Sequence, residues 1–346
     1  GSCASGSRLH GLPGESEDAR LMPQIAPYEF ETFVACATFL GDDPFFALAD
    51  GTVRRMQGGE TAIETNPAGL VVARLDETSN RILCGGEDGR VVALAADGQP
   101  VELASIGRKW ISSVAGGPSG AVAFTSGRTV HVRLPDGTVK THTHDRSAED
   151  VAFAPKGMRV AFARYDGASL WFPAMQAPPT GLEWKGAHMA IGFSPDGRFL
   201  VTAMQENALH GWRLDDGKHM RMTGYPSKVK GWSWSAKGKY LATTGAPAAI
   251  LWPFSGKEGP MGKAPMELGT RGDTMVTSVA CHPGDDIVAI GYADGMVLAV
   301  RFADQKEALL RRGGNGAVNS MTWHREGRLL AFGTESGEAG IIDIAA

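Results

Sequence analysis

Short apolar runs with alternating polarity recur along this chain, divided by two kinds of turn signal. The clearest instance is residues 191–214, IGFSPDGRFLVTAMQENALHGWRL. Three apolar runs are parted by Ser194-Pro195-Asp196-Gly197 and by Glu206-Asn207. Phe199, Val201 and Ala203 alternate along the middle run, which marks a strand with one buried face. The second turn of the phrase ends at Gly51, Gly89, Gly127, Gly167, Asn207, Pro247, Gly295 and Gly337, at intervals of 38, 38, 40, 40, 40, 48 and 42 residues.

A period near 40 residues, with three strands and room for a fourth, predicts an all-β, closed β-propeller of four-stranded antiparallel blades. Eight triplets of strands, labelled a, b and c, run from residue 33 to residue 344. More polar segments such as 138–143 and 218–222 have the length of an outer edge strand d. The last triplet ends two residues before the C-terminus, so the strand expected near 24–26 supplies its fourth member and closes the ring. The expectation is eight blades, or seven if one triplet is irregular. Residues 1–20 read as a disordered tag or lead-in, and 21–346 as a single propeller. The long interval follows the sixth triplet, where residues 255–265 (SGKEGPMGKAP) form a Gly/Pro-rich loop insertion.

Composition narrows the function classes. A net charge of −4 and a pI near 6.2 leave no global basic field for a phosphate backbone. Nucleic acid is therefore a disfavoured partner. The four cysteines, Cys3, Cys36, Cys84 and Cys281, form no C-x-x-C pair and lie mostly in apolar runs. They read as free thiols in a reducing compartment, so a cytoplasmic location is expected. No run of 18 apolar residues occurs, giving no helical span and no membrane partner, and the N-terminal residues lack the pattern of a secretory signal.

Phe193-Ser194-Pro195-Asp196-Gly197-Arg198-Phe199-Leu200 followed by Trp212-Arg213-Leu214 resembles a WD-repeat unit. Phe153-Ala154-Pro155-Lys156-Gly157 with Asp166-Gly167 and Trp171 is similar, as is Trp234-Ser235-Ala236-Lys237-Gly238 with Trp252. The repeats are degenerate and prokaryotic-looking. The resemblance covers 30–346 and implies that an Asp in the b–c turn, a Trp on strand c and a His before strand a tie each blade together. Asp50, Asp88, Asp166 and Asp294 match the acid; Trp171, Trp212 and Trp252 match the Trp; His188 stands close to the His. Met56, Leu94, Val300 and Ile342 occupy the Trp position elsewhere. The family shares a scaffold, not a chemistry.

Candidate chemistry is sparse. His142 and His144 lie two apart on a strand and face one side, as metal ligands could; no third ligand is evident, and a solvated edge strand explains them. His131, His210, His282 and His324 are scattered among the blades, with no triad spacing, nucleophile elbow or nucleotide-binding glycine loop. No catalytic residue, metal or cofactor is assigned.

The d–a connections are more suggestive, because in a propeller they share one rim with the b–c turns. They carry Arg108, Lys109 and Trp110; Arg146; Trp184 and Lys185; Tyr225 and Lys228; Arg271; and Arg311 and Arg312. Arg, Trp and Tyr are enriched at binding hot spots. A basic, aromatic-bearing rim suits an acidic peptide or protein surface. The opposite rim, with Asp97, Asp136, Asp215, Asp216 and the 255–265 insertion, reads as more acidic. The expected function is a non-enzymatic scaffold, monomeric by itself, for protein–protein interaction. The alternative is a small-molecule enzyme of hydrolase or lactonase type at the central channel mouth.

Overall fold

The computed structural model describes residues 23–345; the lead-in expected over 1–20, with Cys3, lies outside the described residues. Strands account for the described elements apart from one three-residue 3-10 turn, Pro118–Gly120. The a, b and c strands of all eight triplets form close to where the repeat places them, and the outer strands follow, as at Val139–Thr143 and His219–Met222.

Hydrogen bonding gathers these strands into seven sheets, not eight. Six are four-stranded and antiparallel. The seventh is six-stranded and contains the fourth and fifth triplets, so the expectation of eight separate blades is corrected to seven. The irregularity has a local cause. Val160–Trp171 runs through its b–c turn as one strand, bending where Asp166 and Gly167 adopt φ of 62° and 136°. Thr180–Phe193 then passes from strand d to the next strand a without a loop, pairing first with residues 165–170 and then, from His188, with Phe199–Met204. An apolar cluster that includes Ala161, Ile191, Leu200 and Trp212 fills the space between the two halves of this double sheet.

The glycine that sets the repeat period has a steric reason. A Cβ at Gly89 would lie 1.7 Å from the Gly107 carbonyl oxygen, and one at Gly337 would lie 1.9 Å from that of Phe30. Both glycines have positive φ, which L side chains adopt only at a cost. The b–c turn is thus tucked directly beneath the following d–a connection. Near the start of strand a, six pairings shift register, leaving Ala35, Val71, Glu149, Met189, Thr277 and Asn319 unpaired. Such bulges re-aim side chains at the end of a strand.

Neighbouring sheets are joined by their buried faces. Phe199, Leu241, Trp252 and Phe254 form one such contact, and each fully buried ring contributes about 1.5–3 kcal/mol. The ring closes as expected. Gln24–Glu29 adds to the edge of Glu338–Asp343 in antiparallel register, Gln24 opposite Asp343. That strand is mostly exposed, so backbone pairing attaches it. Apolar closure comes from Val34 and Phe46 against Ala331 and Ile341. Asn319 Nδ2 also donates to the Val34 carbonyl at 2.5 Å, and the Ala37 amide to Ser320 Oγ at 2.9 Å.

Candidate functional site

The d–a connections and b–c turns do form one rim. Asn66, ahead of the second triplet, donates from Nδ2 to Asp88 Oδ1 in a b–c turn at 3.2 Å. The Gly186 amide donates to Asp166 Oδ1 at 3.1 Å, and Arg271 pairs with Asp294 at 3.0 Å. The b–c acids therefore hold the connections in place.

Besides Arg146, the ten candidate rim residues divide into two groups. Arg108, Lys109, Trp110, Lys185, Lys228 and Arg312 are exposed. The other four are engaged within the protein. Arg271 pairs with Asp294 and lies 4.9 Å from the centroid of the Tyr292 ring. Arg311 bonds Glu338 and the Gly295 carbonyl, over the Phe332 ring. Trp184 is half-buried, stacked on His210 with ring centroids 4.3 Å apart. Tyr225 is 8% exposed and belongs to the core, not the rim surface. The neighbouring Arg146 is exposed and sits 5.7 Å from the Tyr165 ring.

The reason Tyr225 is buried appears in its bonds. Trp252 Nε1 donates to the Tyr225 hydroxyl at 2.7 Å, which meets Thr243 Oγ1 at 2.7 Å; Thr243 donates onward to the Ile250 carbonyl at 3.1 Å. Burial pushes the Tyr225 phenol up to about 12. In the double sheet His188 has the equivalent place before strand a. Its Nδ1 meets Thr202 Oγ1 at 2.7 Å and its Nε2 the Trp184 carbonyl at 2.9 Å. The carbonyl only accepts, so Nε2 carries the proton and Nδ1 accepts from the threonine. The His188 ring lies 5.7 Å from Trp212, which is 2% exposed. These are side chains before strand a, on strand b and on strand c locking one blade, with Tyr225 standing where His stands elsewhere. Residues 279–346 match the profile of the WD40 domain of anaphase-promoting complex subunit 4.

The chain is a β-propeller similar to WD-repeat domains. Telomerase protein component 1 from Rattus norvegicus is 25% identical over 202 residues, and the protein of that name from Mus musculus matches to the same degree. The match covers 57% of this propeller but spans only 7% of either relative. Among solved structures, the computationally designed protein Ika8 superposes with a TM-score of 0.74 at 18% identity, covering 91% of this propeller and 97% of that chain. That likeness concerns the fold.

The propeller uses its histidines for packing and local bonding. His142 on the outer strand and His144 just past its end have ring centroids 6.4 Å apart, packing towards Phe162 of the next triplet at 5.9 and 6.0 Å. Burial, then the neighbouring His144, lowers the pKa of His142. No group of three His, Cys, Asp or Glu side chains with metal-holding geometry occurs among the described residues. His282 Nε2 donates to the Gly327 carbonyl at 2.9 Å while Nδ1 accepts from the Asp285 amide at 2.9 Å. His131 stacks on Phe124, and His324 reaches Asp42 at 3.1 Å. Cys36, Cys84 and Cys281 are free, and burial pushes each thiol up to about 12. Neutral, protonated thiols are poor nucleophiles.

At the channel mouth a cavity of about 520 Å³ is lined by Phe33, Lys230, Trp232, Thr277, Ser278 and Glu335, among others. Three bulge residues, Ala35, Thr277 and Asn319, reach it, which sequence patterning does not reveal because the bulge is a property of pairing. Thr277 Oγ1 donates to the Val318 carbonyl at 2.7 Å, and Ser320 Oγ accepts the Ala37 amide. Deeper on strand a, Asp150 accepts from Ser113, from Arg74 at 2.9 Å and from the Ile191 amide at 2.9 Å, tying four successive triplets together.

On the opposite rim Asp215 and Asp216 are taken up by an arginine, while Asp97 and Asp136 accept the Gln99 and Thr138 amides at 2.9 and 2.8 Å. Arg213 is clamped by Asp215 at 3.3 Å, Asp216 at 2.9 Å and Glu258 at 2.9 Å. These hydrogen bonds hold the Asp216 carboxyl well below the usual range. Arg213 and Arg198 also donate to the Lys257 and Gly256 carbonyls, each at 3.2 Å, fastening the 255–265 insertion to the fifth triplet.

Proposed function

We propose that this protein is a non-enzymatic scaffold that binds a protein or peptide partner across the rim of d–a connections and b–c turns. One observation carries the reading: Trp110 is 60% exposed on a backbone held at both ends. The Ile106 amide bonds the Gly89 carbonyl at 3.0 Å, the Ile111 amide bonds that of Gly86 at 3.1 Å, and Ile111 is fully buried. A large aromatic ring is thus offered on a loop that loses little freedom on binding, and Trp is a favoured hot-spot residue. Arg108 and Lys109 beside it, with Lys185, Lys228 and Arg312 on other connections, suit carboxylates on the partner.

The family favours protein partners over substrates. The hydroxyls at the channel mouth bond to backbone groups rather than to a general base, which favours binding over catalysis there. A cytoplasmic, monomeric protein is part of this reading; three unpaired thiols among the described residues, two of them buried, support a reducing compartment.

Affinity capture from a source-cell lysate with wild type and with Trp110→Ala/Arg108→Glu/Arg312→Glu tests it. A protein retained by wild type and lost by the folded variant supports the rim. Equal retention by both places the interface elsewhere.

A further inference from the structure

We propose a second docking surface on the opposite rim: a lysine ridge over the fourth to sixth triplets that binds an acidic polypeptide segment. It stands independently of the Trp110 rim. The ridge is continuous because its a–b turns pack side by side. A Cβ at Gly197 would meet Pro155 at 3.5 Å, and one at Gly238 would meet Pro195 at 3.3 Å. The 255–265 insertion extends it, held by Arg198 and Arg213.

Charge along the ridge separates into two kinds. Its arginines are occupied: Arg198 by Asp196 at 2.7 Å, Arg213 by its three carboxylates, and Arg159 over the Phe193 ring. The same pairings engage the local acids Asp196, Asp215, Asp216 and Glu258, four carboxylates against two guanidiniums. Lys156, Lys237, Lys239 and Lys257 remain, all exposed, none with a carboxylate partner among the described residues. Lys263 is exposed as well and donates to the Ser255 carbonyl at 2.6 Å. Asp285 and Asp286 on the next a–b turn bound the ridge on one side. The five lysines outnumber the carboxylate charge left over beside Arg213, so the ridge is net positive on a chain of net charge −4.

Lysine offers a compact charge on a flexible stem, without the planar fork that selects a bidentate phosphate or base edge. Spread along successive turns, such charges suit a run of carboxylates on an extended chain, steering its approach and fixing its place. The protein-binding character of the family favours a polypeptide over a lipid surface or a nucleic acid.

The test uses fluorescent poly-L-glutamate as probe, with anisotropy read at low and at physiological ionic strength. Wild type is expected to bind, more weakly as salt screens the charges. Lys156→Glu/Lys237→Glu/Lys239→Glu/Lys257→Glu is expected to lose roughly tenfold or more in affinity. Lys109→Glu/Arg312→Glu on the other rim, which carries positive charge of its own, is expected to lose several-fold less than the ridge variant. Carbodiimide coupling of probe carboxylates to wild-type lysines supplies an arm that needs no variant, with adducts expected at Lys237, Lys239 and Lys257. Adducts confined to Lys109, Lys185 and Lys228, or equal loss in both variants, would overturn the proposal. So would absence of binding at low salt, or binding only to phosphatidylserine vesicles or to an oligonucleotide.

Discussion

Trp252 and Tyr225 are joined by a hydrogen bond of 2.7 Å from indole nitrogen to phenol oxygen. The pair links strand c of the sixth triplet to the connection that precedes its strand a, and Thr243 on strand b completes it. A residue on the basic side of the molecule thus serves as the blade's polar lock. Tyr225→Phe keeps the ring but strands the indole N–H. It is expected to destabilise the fold by about 1–3 kcal/mol in urea denaturation while leaving partner capture intact. Lost capture with unchanged stability would return Tyr225 to the binding surface.

Trp212 tests the inter-strand core of the double sheet. It is 2% exposed and packs with Ile191 and Leu200. Trp212→Ala is expected to cost about 3–5 kcal/mol. A loss under about 1 kcal/mol by chemical denaturation contradicts this placement.

The turn glycines can be tested against one another. Gly89 and Gly217 both have positive φ, but only Gly89 faces a carbonyl oxygen, while a Cβ at Gly217 meets open space. Gly217→Ala is expected to show backbone strain alone, about 1–3 kcal/mol. Gly89→Ala adds a collision with the Gly107 carbonyl and is expected to lower the unfolding midpoint distinctly further. Equal effects would separate the repeat glycine from the d–a contact.

Acid should weaken the double sheet. His210 is fully buried, stacked on Trp184, and neither ring nitrogen has a hydrogen-bond partner. Burial, reinforced by His188, His219 and Arg221, lowers its pKa to about 3, and burial lowers that of His188 as well. The unfolded chain therefore binds protons that the folded one refuses. Stability is full above the ordinary histidine value near 6.5 and falls as pH drops from there towards 3. Glu206 and Asp166 partly offset this at His188, whereas Arg164 adds to it. Thermal melts across this range should decline less steeply in His210→Phe than in wild type; identical slopes would assign the acid sensitivity to other groups.

Much of the fold was legible because it is written in local chemistry. Gly89 and Gly337 repeat since each blade brings a carbonyl to the same spot, and the closing strand was evident from the missing outer strand at the C-terminus. The fusion of the fourth and fifth triplets was not legible. It depends on residues 180–193 continuing as one strand, and an apolar alternation reads alike with or without a loop inside it. The rim was legible only in part. Trp110 follows directly from its connection, but an aromatic hydroxyl such as Tyr225 looks the same on a rim or in a core. The partners of Arg271 and Arg311, Asp294 and Glu338, lie 23 and 27 residues away, so neither pairing is visible in a local window. On the opposite rim Asp215 and Asp216 pair with Arg213 inside a local window, whereas its third carboxylate, Glu258, comes from the distant insertion.

The central claim is that Trp110 meets the partner. Hydroxyl-radical footprinting of the purified protein, alone and with its captured partner, reads this most directly. The account predicts that oxidation of Trp110 falls sharply on binding, while exposed Met175 on the opposite rim keeps its reactivity. Unchanged oxidation of Trp110 in a saturated complex would contradict it.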